Sequence, residues 1–270
     1  MTKWVLPRPG AALPLPPGPP VPRKDALFEW IERVHGRVWG DVLDAGTGQH
    51  SLSWVASLGA RSVTAVTVED WRLPDLRHQF PSARVLRGEW TDPALLAGES
   101  FDEVLIDYVI GAIDGHAPYI QYGFLERLRP HCRRRVYLVG LEPQPRDGSV
   151  LDEVCRVRDA CILLAGHRPY REYPRDIVMS WLERTGYRVY DSRTFPIRVT
   201  ERFIHGQLDV AARKLPYFRD EGLRQAMDHV IRDVRERALA QWGGEGAAPL
   251  SGGAGRTWGA DYVIAAEVVA

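Results

Sequence analysis

The chain has 270 residues, 45% of them hydrophobic, and a formal net charge of zero at pH 7. This length and composition allow one large domain with a buried core, and the absence of a long Lys/Arg run argues against a nucleic-acid partner. No apolar run of about 18 residues occurs, so the sequence predicts neither a membrane span nor a secretion signal. Three cysteines without metal-ligand spacing are typical of a reduced, cytoplasmic protein without a bound metal.

The N-terminal segment differs from the rest of the chain in its proline content. Residues 6–23, LPRPGAALPLPPGPPVPR, favour an extended polyproline conformation. We predict a proline-rich leader over residues 1–23 and one domain over residues 24–270, with insertions at about 150–180 and 205–258. The leader is open to three interpretations: a loosely ordered segment, a ligand for a partner, or a strap across the domain.

The predicted elements then alternate between helix and strand. Apolar residues recur at helical spacing in DALFEWIERVHG, so an amphipathic helix precedes a first strand at residues 41–44. Apolar or β-branched runs predict four further strands, within residues 62–68, 83–88, 101–111 and 134–143, with helical stretches between them. This alternation favours parallel βαβ units in a doubly wound α/β sheet, on which ligands bind at the carboxyl ends of the strands.

The second half of the chain contains more helix than a minimal sheet requires. Helices are predicted at residues 150–164 and in RDIVMSWLERTG, followed by a sixth strand in YRVYDSR. Apolar residues at helical spacing predict another amphipathic helix in EGLRQAMDHVIRDVRERALAQW. A glycine-rich stretch over residues 243–259 is predicted to be a mobile loop, and DYVIAAEVV to be the final strand.

The segment DVLDAGTGQHS places two glycines between the first strand and the next helix, where backbone amides can approach a ligand closely. A phosphate-binding P-loop needs a Lys-Ser/Thr pair after the second glycine, and that pair is absent. A dinucleotide fingerprint accepts the small residue Ser51 but not an acid ahead of the first glycine, where Asp44 stands. S-adenosylmethionine fits better, because its ammonium group suits this acid and the helix N-terminus favours its carboxylate.

Four motifs occur in the order found in class I S-adenosylmethionine-dependent methyltransferases, and the chain resembles that family over roughly residues 25–190. The motifs are VLDAGTG, RGEW, FDEVLIDYVI and FLERLRPHCRRRVYLVG. The resemblance implies a doubly wound, mostly parallel seven-stranded sheet, a Rossmann-like methyltransferase fold, with helical insertions after strands five and six. It also implies S-adenosylmethionine as the cofactor, with Glu89 bonded to the adenine amino group and Trp90 beside the ring.

The cofactor residues that the resemblance implies follow the ends of the strands. They are Asp44, Ala45, Gly46, Thr47, Gly48, Glu69, Glu89, Trp90, Asp107 and Tyr108. The chain departs from the family pattern twice: His50 replaces the third glycine, and Thr67 stands where the ribose-binding acid normally ends the second strand. We expect Glu69 to reach the ribose hydroxyls instead, with Asp70 as the alternative, although both acids could simply cap the next segment.

The candidate catalytic residues follow strands four, five and six. They are His205, His116, Asp107 and Glu142. Methyl transfer depends largely on alignment, and a base is needed only if the acceptor must lose a proton. His116 also fits a solvated surface position. We expect residues 165–174 and 202–209 to close over the acceptor. In the first of these segments, the Arg and Tyr residues of HRPYREYP could hold a carboxylate or an aromatic acceptor, or form an ordinary arginine-rich surface.

The leading hypothesis is methyl transfer to oxygen or nitrogen of a small-molecule substrate in the cytoplasm, with no nucleic-acid or membrane partner. The lack of prolines after Asp107 and Tyr108 argues against the exocyclic amines of nucleobases as acceptors. A protein or peptide methyltransferase and a non-catalytic S-adenosylmethionine-binding module are the alternatives. The sequence leaves the oligomeric state open.

Overall fold

The computed structural model describes residues 25–242 and 257–269. The predicted leader and residues 243–256 of the predicted glycine-rich loop lie outside the described residues. The last part of that predicted loop, Thr257 to Gly259, is wrong as a loop, because these residues begin the final strand. Within the described residues, no helix is long and apolar enough to cross a membrane.

One seven-stranded sheet forms the centre of the described chain. Its strands are β1 (Asp41–Asp44), β2 (Ser62–Thr67), β3 (Arg84–Arg87), β4 (Phe101–Asp107), β5 (Cys132–Leu141), β6 (Tyr187–Arg198) and β7 (Thr257–Val268). They lie in the order β3-β2-β1-β4-β5-β7-β6. The chain direction across the sheet reverses between β1 and β4, which creates the topological switch point where α/β sheets bind ligands.

The sheet is mixed, not mostly parallel as predicted. The first five strands pair in parallel, whereas β7 runs antiparallel to both β5 and β6. A parallel β7 would require the chain to cross back over the sheet after β6. Instead, Trp258 at the start of β7 packs among the helices that follow β5 and β6. β7 therefore begins at the edge where β5 ends, and Leu141 of β5 pairs with Asp261.

Helices cover both faces of the sheet. The helices of the described residues are α1 (Ala26–His35), α2 (Gln49–Ser57), α3 (Leu73–Gln79), α4 (Val109–Ala112), α5 (Gln121–Leu128), α6 (Val150–Leu164), α7 (Arg175–Arg184), α8 (Glu201–Ala212) and α9 (Glu221–Trp242). Successive strand residues point to opposite faces: Val42 and Leu105 pack with α1 and α2, and Leu43 and Ile106 pack with α5 and α7. Each face of the sheet thus has its own apolar core.

A third apolar cluster joins α6, α8 and α9 into a separate helical layer. Its buried residues include Val154, Leu208 and Val234, one from each helix, and it also contains Trp258. Because Trp258 begins β7, this layer adjoins the carboxyl edge of β5. Residues 202–209, which we expected to close over the acceptor, form part of α8 and belong to this layer.

Candidate functional site

The turn between β1 and α2 is held by hydrogen bonds to the strands on both sides of β1. Ala45 N–H donates to Leu105 O of β4 at 2.9 Å, and Thr47 N–H donates to Val66 O of β2 at 2.7 Å. Both acceptors lie towards the carboxyl ends of their strands. The turn is therefore fixed at the switch point, as expected for a ligand-binding turn.

Asp44 is fully buried beneath this turn. Its Oδ2 accepts a hydrogen bond from Ser51 Oγ at 2.8 Å, whereas its Oδ1 is buried and has no partner among the described residues. Burial raises the pKa of Asp44 to about 6. A buried carboxylate oxygen without a partner is costly, and a cationic ligand would satisfy it.

The two glycines of the turn have different roles. A Cβ on Gly46 would overlap Val109 Cγ2, so Gly46 permits the turn to pack against the start of α4. A Cβ on Gly48 would meet no heavy atom within 4 Å. Gly48 is also the N-cap of α2, a helix whose first N–H groups can bind a carboxylate. The open side of the turn is thus at Gly48 and not at Gly46.

A second carboxylate oxygen without a partner lies at the end of β4. Asp107 Oδ1 is buried and makes no hydrogen bond to any described residue. Burial, followed by the charges of Asp44, Asp25 and Asp261, raises the pKa of Asp107 to about 8. The carboxyl edge of the sheet therefore brings together acids that are far apart in sequence, and burial raises the pKa of both Asp44 and Asp107.

Tyr108 connects this edge to β7. Its backbone is left-handed, with φ of 54°, a strained conformation for a bulky residue that is typical of functional sites. Its side chain bonds to Asp261, and burial raises the pKa of Asp261 to about 6. Our sequence reasoning missed Asp261, because it did not predict the direction of β7. With an antiparallel β7, the acid near its start, Asp261, would have been expected at the edge where β5 ends.

The acids predicted to bind ribose and adenine lie together after β2 and β3, linked through arginines. Glu69 pairs with Arg72, while Arg87 pairs with Asp70 at 2.9 Å and with Glu89 at 3.1 Å. Glu69 stands at the N-cap of a 3₁₀ turn, but its side chain makes no capping hydrogen bond. Glu69 therefore pairs within this turn without capping it, and its role at the ribose stays a prediction.

Trp90 supports the glycine turn through a hydrogen bond from its side chain. Its side chain is buried, and its Nε1 donates to Ala45 O at 2.5 Å. Its ring packs edge-on against Phe124, with the centroids 5.4 Å apart. The hydrogen bond to the turn holds the indole in the core, and the place of Trp90 beside the adenine ring stays a prediction.

The two predicted catalytic histidines are not brought together at the strand ends. His116 is exposed, and its ring makes no hydrogen bond to the described residues. His205 lies in α8, where its Nδ1 accepts a hydrogen bond from Arg235 Nη1 of α9 at 2.8 Å. His205 thus belongs to the helical layer. No hydrogen bond among the described residues connects it to Asp107.

Glu142, the fourth catalytic candidate, caps a helix. Both of its carboxylate oxygens accept the backbone N–H of Arg175, at 3.3 and 3.4 Å, at the start of α7. Pro174, the N-cap of α7, offers no capping side chain. Glu142 thus caps α7, whereas Asp107, the other acid among the predicted catalytic residues, has a buried carboxylate oxygen without a partner.

Glu172 is a candidate that our sequence reasoning missed. It lies in the loop at residues 165–174, and its carboxyl oxygens fill the space that a Cβ on Gly111 would need. Burial raises the pKa of Glu172 to about 7, with Arg158 opposing and Asp261 adding to the shift. The available signal was that Glu172 is the one acid in HRPYREYP.

Two open cavities elsewhere do not mark this site. One, of about 660 Å³, lies between α9 and residues that include Ala212 and Leu215. The other, of about 410 Å³, lies at the opposite edge of the sheet, beside Asp41 and Ser62. Neither is lined by the glycine turn or by the carboxyl ends of the strands, so the position in the fold and the unpaired acids identify the candidate site.

Comparison with solved structures places the fold in a known group. A candidate methyltransferase of Bacillus halodurans C-125 aligns over 91% of this chain and 99% of its own, with 14% identity and a TM-score of 0.57. S-adenosylmethionine-dependent methyltransferases of Thiobacillus denitrificans and Geobacter sulfurreducens, each in complex with S-adenosylhomocysteine, align over 92% of both chains, with 12% and 10% identity and TM-scores of 0.51 and 0.50. No protein-family model and no curated protein matches the sequence. The chain therefore has the fold of the S-adenosylmethionine-dependent methyltransferases.

Proposed function

We propose that this protein is an S-adenosylmethionine-dependent methyltransferase that acts on oxygen or nitrogen of a small molecule. The observation that carries the proposal is the pair of buried oxygens without partners, Asp44 Oδ1 and Asp107 Oδ1, at the switch point of the sheet. A phosphate or a dinucleotide would add negative charge beside them, which is unfavourable in a buried place. A ligand with an ammonium group would satisfy them.

The residues at the carboxyl edge suit each part of this cofactor. The N–H groups of α2 that follow Gly48 suit its carboxylate, and Asp44 and Asp107 suit its ammonium group. In this proposal, Glu69 accepts hydrogen bonds from the ribose hydroxyls, and Glu89 accepts one from the adenine amino group. When bound, S-adenosylmethionine supplies a methyl group on a sulfonium that is activated for displacement.

The protein's contribution to the reaction is alignment and proton removal. Alignment of the acceptor with the methyl group supplies much of the rate, because it replaces a bimolecular encounter. Glu172 suits the role of proton acceptor, because its pKa of about 7 lies near the working pH. It lies over Gly111, four residues after the end of β4. Asp107 is the second candidate for this role.

The covered carboxyl edge supports a small acceptor over a protein. The helical layer of α6, α8 and α9 adjoins this edge through Trp258, and Arg171 N–H in the loop at residues 165–174 donates to Gly111 O at 3.1 Å. A folded protein would have to approach the carboxyl edge past both elements. A small molecule needs only a gap between them.

Methyl transfer from labelled S-adenosylmethionine into a cell extract, fractionated by size, tests this proposal. We expect label in the small-molecule fraction with the wild type and with Asp176→Asn, an exposed acid outside the site, and none with Asp44→Asn. Label in the protein fraction would favour a protein methyltransferase. Cofactor binding without any label would favour a non-catalytic binding module.

A further inference from the structure

Two arginines and a tyrosine surround one buried carboxylate beside the site. The side chain of Asp114 is 2% exposed and accepts hydrogen bonds from Arg168 Nη2 and Arg171 Nε, each at 3.3 Å. Both guanidinium groups also lie over the ring of Tyr119, at 5.3 and 5.0 Å from its centroid. These four residues are called the arginine rim below.

The arginine rim carries more positive than negative charge. Two guanidinium groups share the single carboxylate of Asp114, which also accepts from Tyr119 N–H and Gln121 Nε2. Apart from Asp114 and Tyr119, the two guanidinium groups have no hydrogen-bond partner among the described residues. Their side chains are 40% and 43% exposed. Guanidinium groups with free N–H groups, held by a buried carboxylate, are suited to bind an anion such as a carboxylate or a phosphate.

The arginine rim is next to the space proposed for the acceptor. Arg171 N–H donates to Gly111 O, and the next residue, Glu172, places its carboxyl group over the same glycine. Arg171 and Glu172 are consecutive in the chain, so one loop carries both a cation of the rim and the acid over Gly111.

Backbone strain at the rim is consistent with a binding role. Tyr119 is left-handed, with φ of 68°, and its ring is exposed. A bulky residue in this conformation is strained by about 1–3 kcal/mol, and such strain is concentrated at functional sites. The hydrogen bond from Tyr119 N–H to Asp114 holds the residue in this conformation, with its ring beneath the two guanidinium groups.

We propose that Arg168 and Arg171 bind an anionic group of the methyl acceptor, so that the substrate is a small molecule with a carboxylate or a phosphate. This inference rests on the proposed function, because it places the acceptor beside Glu172. The free N–H groups of the rim provide the hydrogen bonds, and Tyr119 provides a flat apolar surface beside them. Arg168 and Arg171 then determine substrate specificity, while Asp114 is a positioning residue.

Titration of acetate and of inorganic phosphate into the protein, with and without saturating S-adenosylhomocysteine, tests this site by calorimetry. We expect one of the two anions to bind at a single site that weakens with salt. The double variant Arg168→Gln/Arg171→Gln should weaken this binding about 10- to 100-fold, since it removes two charge-assisted contacts. The double variant Arg168→Lys/Arg171→Lys should recover part of the anion affinity. Arg84→Gln, at an arginine of similar exposure on the opposite edge, should bind the anion as the wild type does. Preference for acetate or for phosphate identifies the anionic group of the acceptor.

The outcomes separate this inference from the proposed function. Anion binding that is absent in the wild type, or unchanged in a folded glutamine variant, would overturn the anion site, even if S-adenosylhomocysteine binds normally. A glutamine variant that only melts at a lower temperature would show that the arginines merely fasten the loop. Absence of S-adenosylhomocysteine binding would overturn the proposed function, and the titration without cofactor would still report on the rim. In a screen of paired carboxylic acids and their amides, methyl transfer to the amides alone, or only to acidic peptides, would contradict an anionic small-molecule acceptor.

Discussion

The same added methyl group should lower stability at one glycine of the ligand turn and weaken cofactor binding at the other. Gly46→Ala places a Cβ where Val109 Cγ2 lies, whereas Gly48→Ala places it in open space above the turn. Overpacking of a buried contact costs about 1–3 kcal/mol. At roughly 2–4 °C per kcal/mol for a chain of this size, Gly46→Ala should lower the melting temperature by several degrees.

Gly48→Ala should instead weaken cofactor binding in a protein of nearly normal stability. The N-cap position tolerates alanine at a cost of about 1 kcal/mol or less, and Gly48 has an extended conformation, φ of −121°, that alanine also adopts. A Cβ in the path of the ligand should reduce the affinity for S-adenosylhomocysteine at least about tenfold, equivalent to about 1.4 kcal/mol. Thermal melting and calorimetry on both variants measure the two effects. Wild-type affinity in Gly48→Ala would show that the ligand does not approach this side of the turn.

Three further predictions concern the acids and the support of the turn. Because the folded pKa of Asp107 lies above its ordinary value, its contribution to stability is present near pH 4 and is lost as the pH rises through about 8. The melting temperature of the ligand-free protein should therefore fall over this range, while the affinity for the cofactor's ammonium group should rise between pH 6 and 8. Asp107→Asn should flatten both profiles. Trp90→Phe removes the hydrogen bond to Ala45 O and should lower the free energy of unfolding by about 1–2 kcal/mol, measured by urea denaturation; an unchanged midpoint would contradict the supporting role. Glu172→Gln should reduce turnover about 10²–10⁴-fold with S-adenosylhomocysteine affinity unchanged, whereas His116→Ala should not change turnover; equal effects in the kinetic assay would count against Glu172 as the base.

The order of helices and strands could be predicted because it depends on local patterns of apolar residues and glycines. Runs such as SVTAVTV and FDEVLID are long enough to indicate strands, and the glycines after Asp44 mark the turn that precedes α2. The direction of β7 depends instead on where the chain ends its path through the helical layer. Trp258 packs in that layer, but the residues around it in sequence do not indicate this. The sequence therefore predicted seven strands but not their mixed pairing.

The roles of individual site residues depend on contacts between distant parts of the chain. Gly46 is required by Val109, a residue 63 positions away, and Trp90 is fixed by a backbone oxygen 45 positions away. Glu142 was predicted as a catalytic acid because it follows β5, and the structure adds a contact with the N-terminus of α7 that the sequence did not indicate. Such assignments require the packed structure, because the same residue types fit a catalytic or a supporting role equally well in sequence.

Calorimetric titration of the wild-type protein with S-adenosylhomocysteine at pH 8, with NAD as the comparison ligand, tests the central claim most directly. The pair of carboxylates at Asp44 and Asp107 predicts one site for S-adenosylhomocysteine and none for NAD. At a hundredfold excess over its dissociation constant, the ligand should raise the free energy of unfolding by about 2.7 kcal/mol. Binding of NAD in its place, or no binding of S-adenosylhomocysteine at millimolar concentration, would contradict the assignment of this edge as a methyl-donor site.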